Sequence, residues 1–463
     1  YNQWGRRVAP VYKTALRHDG VKIVKYAIKL AAFLGFFVIA TNGASAGKAE
    51  LGKTMGSQTC GQSTCHAADI PWPNSSVSQI EHKVWTERDP HSKSFKALES
   101  ERGQAIARRV GYGDATKADK CLGCHAHNVP EETREDTFDI SEGVTCEACH
   151  GPASRWLGVH TAGLYYYGRN LQEGMYPTTD ASARADLCLG CHVGEGDRFV
   201  THRMMAAGHP PLPFELGFYS WFTKSNPEAR SGYAHFTVDD DYLQRKPWPF
   251  GVKVWAIGQV AQARHVLALV TDPKNGPKGL FPEMALFDCR SCHRRRDGGG
   301  VAGPTLPRIK NANLIFAEFA AELVDPALAK KLRRNIGSLR ASSEGSWGGV
   351  ISASRRLKKT LVEVEAKLKK HKFSIDDNKK TLVRIARAYR KGRLSGYESA
   401  EQAVLATGSL VDELQRLEIL SASESAEAGE AMTLGLGAFK SNTQYSRRDV
   451  RASLNEIARI VAN

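Results

Sequence analysis

The chemistry open to this 463-residue sequence is concentrated in ten cysteines, and they fall in five pairs: Cys60/Cys65, Cys121/Cys124, Cys146/Cys149, Cys188/Cys191 and Cys289/Cys292. A histidine follows the second member of every pair: His66, His125, His150, His192 and His293. Paired cysteines can form disulfides or bind zinc, but neither use requires an adjacent histidine each time. C-x-x-C-H has its own reading as covalent haem attachment. Two thiols add to the two vinyl groups of one haem, and the neighbouring imidazole reaches the iron from the same side. CLGCH, CEACH, CLGCH and CRSCH meet this without adjustment. CGQSTCH, at Cys60–His66, has four residues between its cysteines. Gly61, Gln62, Ser63 and Thr64 are small or polar and turn-forming, so the extra length can loop outward. The expectation is five haem c groups. For the first motif the alternatives are a disulfide or a haem held by Cys65 alone.

Five haems between Cys60 and His293 leave little chain for each, so they must pack against one another and serve as much of the core. The occupant of each iron's sixth position then decides function. Two strong ligands make an electron carrier, and an open position admits substrate. Ten histidines lie outside the motifs. His91 follows an Asp-Pro turn in RDPHSKSF, His160 lies ten residues beyond His150, and His202 and His209 share FVTHRMMAAGHPPL. These four and His235, in GYAHFTVDD, are the distal candidates. His82, His127 and His265 rank below them, and His18 and His371 read as bystanders. Met204 and Met205 are expected to pack a helix.

GVTCEACHGPASRWLGVH, CLGCHVGEGDRFVTHRMMAAGHP and EHKVWTERDPHSKSF resemble segments of multihaem c-type cytochromes related to the cytochrome c-554 group, itself similar in haem packing to multihaem hydroxylamine and nitrite enzymes. The resemblance spans roughly residues 57 to 295. It implies His91, His160, His202 and His209 as distal ligands, haems in stacked and perpendicular pairs, and electron transfer between redox partner proteins, other cytochromes among them. The alternative it carries is a multihaem oxidoreductase acting on a small nitrogen or sulfur compound at one open iron. Nitrite reductases of this type use a motif ending in Lys, which none of the five motifs has. Hydroxylamine oxidases modify a haem with a tyrosine. The cluster Tyr165–Tyr167 invites that comparison, but tyrosines beside haems more often pack.

The elements that would position this chemistry divide into three. Residues 1–46 carry lysines, an apolar run from Leu30 to Ala40 and a small-residue exit at Ala44-Ser45-Ala46. That order predicts a cleaved secretory signal and a periplasmic or otherwise exported protein, with an uncleaved N-terminal anchor as the alternative. Residues 47–300 form the expected pentahaem domain, closed by the Gly-rich RRRDGGGVAGPTLP. Within it, Val254, Ile257, Val260, Ala261, Ala263 and Val266 approach helical spacing.

Residues 301–463 lack cysteine and carry one histidine, with the bundle seam Leu357, Leu361, Val364 and Leu368. Asp325-Pro326 and Asp376-Asp377 read as helix starts, and Gly337, Gly392 and Gly396 as helix ends. The fold class is therefore mainly α: a loop-rich multihaem cytochrome domain followed by an α-helical bundle of four or five helices. The formal net charge is +15. Arg355–Arg393 is rich in cations, which suits either a solvated helix face or docking to an acidic partner or an anionic membrane. Nucleic acid is not an expected partner of an exported haem protein.

Overall fold

A C-x-x-C-H sequence that takes one helical turn puts its cysteines at i and i+3 on one face and its histidine one step further along. The chain uses this device repeatedly. The computed structural model describes residues 52–70, 79–162, 167–222, 251–278, 282–289, 309–343, 345–441 and 444–462. The expected signal segment, Tyr165, Tyr166, His235, the Gly-rich stretch, Cys292 and His293 lie outside them. The cysteine-rich part is loops and short helices: α1 (Ser57–Cys60), α2 (Glu81–Arg88), α3 (Ser94–Glu99), α4 (Glu101–Arg109), α5 (Asp119–His125), α6 (Cys146–His150), α7 (Leu157–Thr161), α8 (Tyr167–Gln172), α9 (Ala181–Leu189) and α10 (His202–Ala206). Three of the attachment motifs sit on α5, on α6, and at the end of α9, where a π turn at Gly190–Gly194 follows.

Long helices then take over: α11 (Val252–Thr271), α12 (Ala312–Val324), α13 (Pro326–Ser343), α14 (Trp347–Lys370), α15 (Ile375–Arg390), α16 (Tyr397–Arg416), α17 (Ala422–Gly437) and α18 (Arg447–Ala462). A small antiparallel ribbon, β1 (Phe439–Ser441) with β2 (Gln444–Tyr445), joins the last two. The molecule is mainly α, loop-rich first and bundled second. The expected seam is real, since Leu357, Leu361, Val364 and Leu368 are all fully buried.

Asp325 starts α13 by accepting from the backbone N–H groups of Ala327 and Leu328. α15 starts one residue before the predicted Asp pair, because Ser374 and Asp377 form a reciprocal capping box. Gly392, at φ +75°, follows α15 as expected. Gly396 instead precedes α16 as its N-cap. Gly337 lies inside α13, where a Cβ would meet nothing within 4 Å. Packing of α13 against α12 and α14 outweighs its weak helix propensity, a penalty of about 1 kcal/mol.

Residues Leu51–Asn463 form one compact unit. α11 ties its two parts together, packing on α12 and α14 of the bundle and on α9, which carries the fourth motif. Arg264 and His265 of α11 both reach Asp186 of α9, at 2.8 and 3.2 Å. No helix among the described residues is long and apolar enough to cross a membrane.

Candidate haem-binding centres

The first motif takes the same turn as the others despite its length. α1 ends at Cys60, the chain loops through Gly61–Thr64, and the His66 N–H returns to the Cys60 carbonyl at 3.2 Å. That is the i→i+4 relation a regular C-x-x-C-H turn has between its histidine and its first cysteine. Gly61 must be small here, because a Cβ would stand 2.7 Å from Nε2 of His82. None of the nine described cysteines is in a disulfide.

Three motif histidines each face a histidine from a distant segment. His66 and His160 have ring centroids 6.0 Å apart and nearly parallel planes. His192 faces His91 at 6.1 Å and His125 faces His209 at 6.3 Å, both pairs near perpendicular. Two imidazoles bound to opposite sides of one metal, with bonds of about 2 Å, place their centroids roughly 6 Å apart. Among the described residues no group of three or more His, Cys, Asp or Glu gathers as it would around a bare ion. Histidines taken two at a time suit an iron whose other bonds go to a porphyrin.

A ligating histidine also needs its second nitrogen held, which fixes the tautomer and the ring orientation. His66 Nδ1 meets Glu81 Oε2 at 2.8 Å, and His91 Nδ1 meets Asp89 Oδ1 at 2.9 Å. His125 Nδ1 meets the Ser94 carbonyl at 2.9 Å, and His209 Nδ1 the Pro210 carbonyl at 2.7 Å. The Asp-Pro turn before His91 explains one of these, since the same Asp89 oxygen also accepts from the His91 backbone N–H. Burial, and then the facing His91, hold His192 down at about 4, so it enters the site as the neutral imidazole that metals bind. Phe214 stacks on His192 at 4.5 Å, and Trp156 stands edge-on to His160 at 5.7 Å.

The sulfurs show which motifs are neighbours. Cys60 stands beside Cys146, and Cys124 beside Cys191, close enough that the paired thiols hold Cys60 and Cys191 down. Burial, followed by Cys188, Asp89 and Cys191, pushes Cys149 up to about 12. Arg198 spans the second and fourth motifs, donating to the Gly190 and Gly123 carbonyls. Motifs therefore adjoin in the order first, third, fourth, second. Cys289 sits apart, with its Sγ 3.7 Å from Glu398 Oε1 on the first turn of α16. The fifth motif thus begins against the helical bundle.

The remaining histidines divide by what holds them. His265 has both nitrogens engaged, Nε2 with Asp186 and Nδ1 with the Gly194 carbonyl at 3.4 Å, which leaves nothing for a metal. His202 opens α10, and its backbone N–H donates to Glu283. His127 has its Nδ1 on Thr145 Oγ1 at 2.9 Å, the same tethering that the facing histidines show. Nothing in the spacing of CHAHN marks it, because Thr145 is eighteen residues away. The His82 Nε2 is buried without a hydrogen-bond partner. Met204 packs with Val110 and Ala207, and Tyr167 bonds Thr179 at 3.1 Å.

Residues 59–151, which hold the first three motifs, match the family described as cytochrome c554 and c-prime. Cytochrome c-554 of Nitrosomonas europaea is 30% identical over 111 residues, which is 22% of this chain and 46% of that protein. The chain thus spans just under half the length of that relative. No solved structure matches the chain. The group implied by these similarities is haem c, and the facing, tethered imidazoles beside paired cysteines fit it.

Proposed function

We propose that this chain, a c-type cytochrome related to the cytochrome c-554 family, carries five haem c groups outside the cytoplasm and passes electrons between redox partner proteins. The observation that carries the reading is the set of three histidine pairs facing each other at 6.0–6.3 Å, each pairing a motif histidine with a distant one. Cys60/Cys65, Cys121/Cys124, Cys146/Cys149, Cys188/Cys191 and Cys289/Cys292 hold the haems. His66 with His160, His125 with His209, and His192 with His91 are the axial pairs. His150 and His293 complete the proximal set, and His202, His235 and His127 are the candidates opposite them.

Haem c, when bound, supplies a one-electron couple whose potential follows its axial pair. The chain does the rest. Glu81 and Asp89 orient His66 and His91 and make them more basic. Phe214 and Trp156 shield imidazoles from water, so little reorganisation accompanies electron transfer. The sulfur contacts support a relay in the order first, third, fourth, second, with the fifth beside the bundle. A leader in residues 1–46 would deliver the chain to the compartment where haem is attached. The cation-rich segment Arg355–Arg393 would serve an acidic partner or an anionic membrane.

The test is EPR of the oxidised holoprotein with spins counted per chain, beside a haem count by pyridine haemochrome. Five haems with only low-spin signals are expected. One high-spin iron per chain would instead point to an open position and to substrate chemistry on a small nitrogen or sulfur compound.

A further inference from the structure

Several surface cations of the bundle stand beside a carboxylate. Lys331 pairs with Glu363, Lys367 with Asp325, Lys369 with Glu365, and Arg459 with Glu427 and Glu456. Six cations without such a partner gather where two helices meet. Arg387, Arg390 and Lys391 at the end of α15, and Arg447, Arg448 and Arg451 at the start of α18, are all exposed. None of the six is in an ion pair among the described residues. The two helices pack together, and Arg390 reaches Asn455 across them at 3.4 Å. Arg447, Arg448, Arg451, Ala452 and Asn455 line an open groove of about 390 Å³. The α15 cations lie at a helix C-terminus, where the dipole favours them. Arg447 and Arg448 occupy the first turn of α18, where it does not, with Asp449 as the acid of that turn. Like charges gathered in one place, two of them set against their own helix dipole, are the kind of local conflict kept for function.

Its position gives that conflict a use. Ser395 O accepts from Tyr445 OH at 2.7 Å and from Arg447 Nη2 at 3.4 Å. At the next residue, a Cβ on Gly396 would stand 3.2 Å from Asp288 Oδ2, beside Cys289. Tyr397 packs against Phe439 and Tyr445 at 5.4 and 5.9 Å and fills the space behind this strap. Of the acids near Cys289, Glu398 is matched by Lys310 at 3.0 Å and Glu401 by the Tyr397 hydroxyl at 3.2 Å.

Resting on the five-haem reading, we infer that the arginine-lined groove of α18, beside the cations at the end of α15, docks an acidic redox protein that exchanges electrons with the haem of the fifth motif. One electron passes from the reduced partner to that centre, the partner is oxidised as the centre is reduced, and no atom moves. A lipid surface fits less well. Membrane-docking faces combine cations with inserted apolar side chains, and none of the exposed large hydrophobic residues lies on α15 or α18.

The experiment uses the holoprotein and a small acidic [2Fe–2S] ferredoxin as probe. Binding and electron exchange are measured at low salt and at physiological ionic strength. Wild type is expected to lose about tenfold in both as salt rises, and R447Q/R448Q/R451Q to lose about tenfold at low salt with a flattened salt response. K330Q/R334Q, exposed on α13 and outside Arg355–Arg393, should match wild type. A triple variant that binds as wild type does, or a control that loses as much, overturns the docking assignment and leaves the five-haem reading standing. Arginine-dependent capture by phosphatidylserine vesicles, with no arginine effect on the ferredoxin, overturns it in favour of a membrane. A holoprotein whose Cys289 peptide bears no haem overturns the five-haem reading, and with it the electron-exchange half of the inference.

Discussion

Each facing pair joins a motif histidine to one of the distal candidates that the sequence offers, while which motif each candidate faces is set by the fold. His160 faces His66, and on the proposed function the two hold one iron, so His160→Ala should convert one iron per chain from low spin to high spin, read by EPR and by the optical spectrum of the ferric protein. His265→Ala should leave both spectra unchanged. Its nitrogens already serve Asp186 and Gly194, so the expected loss is about 1 kcal/mol of stability, measured by chemical denaturation. At the first motif, Gly61→Val would drive a side chain into the His82 ring and should destabilise the loop by about 1–3 kcal/mol, lowering haem incorporation on Cys60 and Cys65 by peptide mass. Ser63→Ala, at an exposed position of the same loop, should not. The C-x-x-C-H motifs stand out in the sequence because haem attachment demands a fixed local spacing. The pairing of His66 with a residue ninety-four positions away, and the tether of His127 to Thr145, depend on chain folding and leave no local trace.

Among the elements, the segment after α10 carries a buried acid with a measurable signature. Glu215 is fully buried between the fourth-motif region and α16, where it accepts from the Phe218 N–H, while its Oε1 has no partner. Burial pushes its carboxyl up to about 7; the Phe218 and Gly217 N–H groups and the Ser409 hydroxyl oppose this. The unfolded chain releases this proton near pH 4.3. Between about pH 4.3 and 7 the native state therefore binds more protons than the unfolded one, and stability falls as pH rises. The full penalty, about 4 kcal/mol, is present above pH 7. Glu215→Gln keeps the shape and should gain stability increasingly from about pH 5 to about pH 8, read as midpoints of thermal unfolding. A gain that does not grow with pH would show that Glu215 is not protonated in the native state. Sequence patterning foresaw the α14 seam because one amphipathic helix faces one core. It described α11 less fully, since that helix is enclosed on most sides and its apolar residues do not form a single stripe.

At the scale of the whole molecule, a boundary at residue 300 is natural on composition, since cysteines stop and long helices begin. α11 lies on the haem side of that point but is held from the other. Fourteen of its twenty residues are buried. Trp255 meets Phe316 of α12 with ring centroids 6.5 Å apart, and Ile257, Val260, Leu267 and Val270 belong to the same core as Leu314, Leu357 and Leu361. Its first turn is fixed from across the bundle, where Glu413 of α16 accepts from the Val252 N–H at 3.0 Å. Composition could not reveal this, because α11 reads equally well as the last haem-domain helix or the first bundle helix. A chain that stops at residue 300 would uncover these side chains. At 1.5–3 kcal/mol for each large one, the five named lose roughly 10 kcal/mol, comparable with the whole stability of an ordinary domain. Because α9 rests on α11, the fourth motif and its Asp186 contacts would loosen as well. A fragment covering residues 52–300, expressed with haem attachment, is expected to be aggregated or poor in haem, with the low-spin signal of the His192–His91 centre broadened or lost. A soluble fragment with all its haems and an unchanged EPR spectrum would mean that the bundle is an independent partner-binding module and that α11 can find other cover.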